Sequence, residues 1–264
     1  MYVLGALGVL YAAALVFALT GYRLLLYPAP GAVREPVLAA AKLHRIAAPD
    51  GSTVYALHVP APEGAPTIVH FHGNGEQLAD GTWLASRLRA AGVGVYLVEY
   101  PGYGLARGVR TTEAAIYAAA EAALDHLERS IGVPNERIIL QGQSLGTGVA
   151  TEMAARGHGA RLILVSPYTS IVDMASHYAP ILPARLYVGD RFETAAKAPG
   201  VSIPVLIVHG TLDEVIPVRM GRELAKIFPS ASLEIVDGGH HNDLFADPAA
   251  PLVARLARFA RLGT

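Results

Sequence analysis

The chain has no cysteine, so thiol chemistry, disulfides and cysteine-ligated zinc are excluded and no redox compartment can be read from it. It also lacks a charge surplus. Lys and Arg number 21 against 22 Asp and Glu, a formal net charge of −1, and nothing in that balance recommends a nucleic acid as partner. There is no internal repeat and no low-complexity tract. The 264 residues suit one large α/β domain. Missing, finally, is any charged side chain from Met1 to Tyr22; the first is Arg23.

That uncharged run is long enough to cross a hydrocarbon core as a helix, which takes about 20 apolar residues. A cleaved signal peptide is the rival reading, but only the terminal amine supplies charge ahead of the run, and residues 18–21 fit a cleavage site loosely. A buried core helix is the third. The preferred division is a transmembrane anchor over residues 1–22, a lead-in linker over 23–42 marked by Pro28, Pro30, Gly31 and Pro36, and a folded domain over 43–264. Arg23, Arg34, Lys42 and Arg45 all lie after the span, which puts the domain on the cytoplasmic side by the positive-inside rule. The proline-rich stretch separates the anchor from the first strand, so the core is expected not to need residues 1–22.

Beyond the lead-in, strand-like and helix-like segments alternate. Residues 43–48 and 52–59 flank Asp50-Gly51, a hairpin signal. Strands are expected at 67–71, 93–100, 137–141, 161–166, 205–209 and 232–236. Helices are expected at 77–91, from 111–113 to about 131, and at 145–156, 219–228 and 251–262. A hairpin followed by β-α units implies a mostly parallel central sheet with helices on both faces. Ligands in such sheets bind at the carboxyl ends of the strands. Fewer than about forty residues separate Ser166 from Pro204, room for only a small cap and an accessible site.

Gly142-Gln143-Ser144-Leu145-Gly146 falls between a strand and a helix. G-x-S-x-G in that context is a nucleophile elbow: the turn is so tight that side chains at the glycines would strike backbone, and the serine sits strained and exposed at its tip. A serine hydroxyl needs a base, and the base an orienting carboxylate. Asp213 comes after the strand at 205–209, and His240-His241 come after the strand at 232–236, giving the order Ser144, Asp213, His241. An imidazole base makes activity rise from acid toward neutral pH. Glu214 competes with Asp213, Asp173 is a less favoured acid, and Asp190, Glu193 and Asp243 read as solvated loop charges. His240 competes with His241; Asn242-Asp243 directly after His241 sets the preferred register and caps the next helix or turn. The loop His72-Gly73-Asn74-Gly75 ends the strand at 67–71, so the oxyanion donors are expected to be the backbone N–H groups of Asn74 and Leu145. His70 and His72 alternate on that strand, but no third ligand or carboxylate accompanies them, and no metal is assigned.

Taken together, His72-Gly73-Asn74, Tyr100-Pro101-Gly102-Tyr103-Gly104, Gly142 to Gly146, Ser166 to Ser170, His209 to Pro217 and His241-Asn242-Asp243 resemble the signatures of the α/β-hydrolase superfamily. The resemblance is to small, N-terminally anchored hydrolases of the serine-aminopeptidase and acyl-protein-thioesterase kind, over roughly residues 20–262. The lead-in Tyr22 to Pro28 is similar too, while the doubled histidine departs from the family's single one. The resemblance implies an α/β-hydrolase fold, a Ser-Asp-His triad without a cofactor, and cleavage of a small-molecule or lipid-like acyl ester or thioester. A peptidase, or a catalytically silent membrane-bound scaffold, are the alternatives. It implies neither one substrate nor an oligomeric state.

Overall fold

The computed structural model describes residues 2–48, 51–245 and 251–262. β1 (Lys42–Ala47) and β2 (Thr53–Val59) form the antiparallel hairpin, with Ala47 opposite Thr53. Gly51 in its turn has φ +83°, a value only glycine takes freely; Asp50 lies outside the described residues. β2 pairs antiparallel with β4 (Gly94–Val98). From there every pairing is parallel, through β3 (Thr67–Phe71), β5 (Ile138–Gln143), β6 (Arg161–Val165), β7 (Val205–Gly210) and β8 (Ala231–Val236). The eight strands make one sheet in the order β1-β2-β4-β3-β5-β6-β7-β8.

The central strands read as continuous apolar runs because both their faces are buried. Along β6, Leu162 and Leu164 enter one core while Ile163 and Val165 enter the other; along β7, Val205 and Ile207 oppose Leu206 and Val208 in the same way. Helices α3 (Glu113–His126), α4 (Leu145–Ala155) and α8 (Val218–Ile227) close the first face, and α2 (Thr82–Ala90) and α9 (Pro251–Leu262) the second. Each such aliphatic side chain contributes about 1.5–3 kcal/mol by leaving water. Thr112 caps α3, its hydroxyl accepting from the Ala115 N–H at 3.1 Å. α3 then widens into a π-turn over Leu127–Ile131 that Gly132 ends at φ +86°.

The helix expected from residue 77 begins only at Thr82. Asp80 accepts from the Gln77 N–H, and the Thr82 hydroxyl donates to the Ala79 carbonyl, so side chains hold a turn where helical bonds would form. Between β6 and β7 lie three short helices that strand-helix periodicity does not reveal, α5 (Ile171–Tyr178), α6 (Ala184–Tyr187) and α7 (Thr194–Lys197). They form the cap.

The N-terminal helix, α1 (Tyr2–Leu26), is the one helix among the described residues long and apolar enough to cross a membrane. It runs past residue 22, and the chain after it is bound rather than loose. Gln77 accepts from the Arg34 N–H at 2.9 Å and donates to the Ala32 carbonyl at 3.1 Å, and Arg107 donates to the Pro30 and Gly31 carbonyls. Asp190 requires a correction. It is not a solvated loop charge but 5% exposed, accepting from Arg23, Tyr22 and the Glu113 N–H. Buried carboxylates need such partners, and Asp190 finds them on distant segments.

Candidate active site

Ser144 comes directly after β5, at φ 50° and ψ −119°. A non-glycine residue there carries about 1–3 kcal/mol of strain, which the surroundings must hold. They do so by close packing. A Cβ on Gly142 would lie 2.2 Å from the Gly146 carbonyl oxygen, and one on Gly146 would lie 2.0 Å from that of Phe71. The Ser144 N–H donates to Val165 O at 3.0 Å, fixing the elbow to the next strand.

The Ser144 Oγ lies 3.1 Å from His241 Nε2, and His241 Nδ1 lies 2.9 Å from both oxygens of Asp213. An ionised carboxylate only accepts, so Nδ1 carries the proton and Nε2 is left to accept from the serine. Ser144 and His241 are 9% and 8% exposed, at the floor of a cavity. The loops bearing Asp213 and His241 press together: a Cβ on Gly210 would lie 2.1 Å from the Gly239 carbonyl oxygen. Asp213 also accepts from the Val215 and Ile216 N–H groups at 3.0 and 2.7 Å. Burial alone would raise its pKa, but hydrogen bonds from His209, His241 and Ile216 hold it well below the usual carboxylate range.

The rivals sit elsewhere. Glu214 and His240 pair with each other at 3.2 Å in solvent. Asp243 is exposed and accepts from the His240 N–H, while Glu193 is exposed beside Arg191. Asp173 accepts from the Thr169 hydroxyl in the first turn of α5.

In the loop after β3, the Gly73 N–H is taken by Glu76 at 2.8 Å. The N–H groups of Asn74 and Leu145 have no hydrogen-bond partner among the described residues. Leu145 opens α4, where backbone donors and the helix dipole point outward. The Asn74 side chain accepts from Tyr103 at 3.1 Å and reaches the Leu25 carbonyl of α1 at 3.5 Å.

Two buried histidines behind the site were not foreseen in these roles. His209, wholly buried, contacts Asp213 at 3.3 Å and the Ile216 carbonyl at 2.8 Å through the same Nε2. Both neighbours accept, so Nε2 carries a proton, and Nδ1 has no hydrogen-bond partner among the described residues. The signal was its place at the end of β7, one helical-turn spacing before Asp213. His72 lies 3.3 Å from Glu99, an ion-pair contact outside hydrogen-bond geometry, and Nδ1 meets the Gly73 carbonyl. Burial opposes its charge, yet Glu99 raises its pKa. Sequence distance hid that carboxylate. His70 instead meets Gln141 at 2.9 Å, and burial pushes its pKa down to about 4.

The cavity above Ser144 measures about 670 Å³ and is lined by α1, the cap and the triad loops. The small cap was expected to leave the site open; α1 supplies the missing wall.

Residues 62–192 match the family model of the serine aminopeptidases, S33, a span that includes Ser144 and stops before Asp213. The chain is 30% identical over 226 residues to an uncharacterized protein of Mycobacterium tuberculosis, covering 84% of this chain and 80% of that protein. It is 33% identical over 204 residues to alpha/beta hydrolase domain-containing protein 17C of Homo sapiens, covering 75% of this chain and 59% of that protein. A Pyrococcus furiosus esterase of known structure superposes with a TM-score of 0.70 at 17% identity, over 88% of this chain and 96% of that one, a likeness of fold.

Proposed function

This chain belongs to the α/β-hydrolase superfamily, and from that premise we propose that it is a serine hydrolase of carboxylic esters or thioesters, acting through an acyl-enzyme. The observation that carries the reading is the unbroken relay from Ser144 through His241 to Asp213. His241 Nε2 takes the hydroxyl proton as Ser144 Oγ attacks the carbonyl carbon. The oxyanion that forms accepts from the Asn74 and Leu145 N–H groups, in the field of the α4 N-terminus. His241 then returns the proton to the departing alkoxide or thiolate as its bond to carbon breaks. Water repeats the sequence on the acyl-serine, giving a carboxylic acid and free Ser144. No step calls for a cofactor.

A peptidase reading draws on the family model's description. Recognising a free amino terminus calls for a carboxylate in the pocket. Among the described lining residues Glu76 is the one carboxylate, and one of its oxygens accepts from the Gly73 N–H. The apolar cavity favours an acyl group. The discriminating experiment is labelling with a fluorophosphonate probe. The full-length protein takes the label and the Ser144→Ala variant does not. Folded wild-type protein that resists the probe overturns the enzyme reading in favour of a silent scaffold.

We further place α1 in the membrane as a single N-terminal anchor, with the domain on the cytoplasmic side. Of the cations that suggested this side, Arg23 and Arg34 are paired internally, with Asp190 and Asp80. Protein that stays with the membrane pellet through a carbonate wash supports the anchor; release into the supernatant defeats it.

A further inference from the structure

α1 does not simply lead away from the domain. Its residues Ala14, Phe17, Ala18, Tyr22 and Leu25 line the same cavity as Ser144 and His241. Their spacing of three and four puts them on one helical face, where Ala18 is buried and Ala14, Phe17 and Leu25 remain exposed beside the cavity; Val9 and Val16 lie on the opposite face.

Two sets of hydrogen bonds fix that face against the cap. At its base the Tyr22 hydroxyl accepts from the Gly189 and Asp190 N–H groups at 3.1 and 3.2 Å and donates to the Asp190 carboxylate at 3.1 Å. Arg23 Nε donates to the same carboxylate oxygen at 2.6 Å. Eleven positions earlier in the helix, about 16 Å along its axis, the Tyr11 hydroxyl donates to the Ile181 carbonyl of the cap at 3.2 Å. A cap tied to Tyr11 lies at the depth of Tyr11. Tyr178 of the cap lines the cavity and donates to the Glu214 and Val215 carbonyls. On the cap beside α1, Ile181 and Leu186 are 75% and 77% exposed, with Arg185 exposed between them. Such a patch on a water-soluble surface is a liability, and beside a membrane helix it is a lipid contact.

We infer that α1 is the acyl-binding wall of the site, and that the substrate is a single-chain lipid ester or thioester whose chain lies between α1 and the cap, entering from the leaflet that holds α1. This rests on the hydrolase reading above. The cavity is in the size range that takes one ligand, not a two-chain lipid with both chains enclosed. A long chain crossing water to reach a pocket exposes every methylene; one sliding from the leaflet to a wall embedded in it exposes none. The inference also bears on the anchor. Removing residues 1–22 takes away Ala14, Phe17, Ala18 and Tyr22, so the expectation that the site does without them changes for long-chain substrates.

The test uses the full-length protein in phosphatidylcholine vesicles, with Ala14→Trp filling the wall and Val16→Trp as a control on the lipid face. The substrates are 1-palmitoylglycerol in the vesicles and monobutyrin in solution, and a fluorophosphonate probe reports on Ser144. Ala14→Trp is expected to lower kcat/KM for the palmitoyl ester at least about tenfold more than for the butyryl ester, while Val16→Trp shifts both by less than about twofold. Equal effects on the two chain lengths, or none, overturn the inference. Ala18→Leu, a smaller intrusion on the same wall, gives the same comparison if Ala14→Trp loses probe labelling. Wild-type protein that neither labels nor hydrolyses either ester defeats the hydrolase reading instead.

Discussion

The floor of the cavity and its far wall are held by different means. On the floor, Ser144, Asp213 and His241 stand at the ends of parallel strands, in loops so close that Cβ atoms on Gly146 or Gly210 would strike backbone. The side chains of all three are buried or nearly so. The far wall is apolar surface from α1 and the cap, and its base depends on a single buried carboxylate, Asp190. On the proposed reading the floor sets the chemistry and the wall the selectivity, so that displacing the first is expected to remove catalysis and displacing the second to change what is accepted.

The largest effects belong to the floor. Ser144→Ala and His241→Ala are each expected to lower kcat for any ester by roughly three to six orders of magnitude, measured on variants with unchanged circular dichroism. Asp213→Asn, which disturbs the imidazole tautomer without changing shape, is expected to cost about ten-thousandfold in kcat. A loss that depended on chain length would mean that floor and wall are not separate.

The wall comes next. Asp190→Ala unties Tyr22 and Arg23 from the cap. Hydrolysis of a sixteen-carbon ester is expected to fall about tenfold and that of a four-carbon ester by less than about threefold. The lost hydrogen bonds should cost about 1–3 kcal/mol, read as a lower Tm. Equal losses for both esters would make Asp190 a fold residue alone.

A pH effect sharpens the floor further. The folded carboxylate of Asp213 is depressed below its unfolded value near 4. Its stabilising contribution is therefore complete above about pH 4 and disappears as the pH falls through the folded value. The Tm gap between wild type and Asp213→Asn should be constant from neutral pH down to about 4 and close below it. A gap that closed already between pH 7 and 5 would contradict the buried hydrogen bonds. The smallest effect is that of His240→Ala. His240 pairs with exposed Glu214, so the cost should be about tenfold or less in kcat. A loss matching that of His241→Ala would move the base.

Much of the floor is legible in the sequence because its signals are local. Gly142 and Gly146 flank Ser144 within one turn, and Asp213 comes after β7, whose burial on both faces leaves a plain run of Val, Leu and Ile, while His241 follows the half-exposed edge strand β8. The same locality failed for Asp190, whose partners Tyr22, Arg23 and Glu113 lie 168, 167 and 77 residues away. A carboxylate in a loop looks solvated until the chain that buries it is in place. Glu99 beside His72 and His209 beside Asp213 were passed over for a related reason. Each stood in a recognised segment, but its direction depends on the register of neighbouring strands. Of the cap helices, α6 and α7 were missed because each is four residues long, too short for a period to register.

By itself, then, the sequence determined the layered α/β architecture, the chain order of Ser144, Asp213 and His241, and an uncharged N-terminal run able to form a membrane-length helix. These come from backbone sterics and hydrophobic period, which act over a few residues. Only the tertiary structure decided that His241 rather than His240 meets Ser144, that Asp213 rather than Glu214 meets the His241 imidazole while Glu214 meets its backbone N–H, and that α1 turns one face to the cavity. Those outcomes rest on hydrogen bonds and packing between segments far apart in the chain. A side chain's partner is fixed only when folding has brought both ends to the same place.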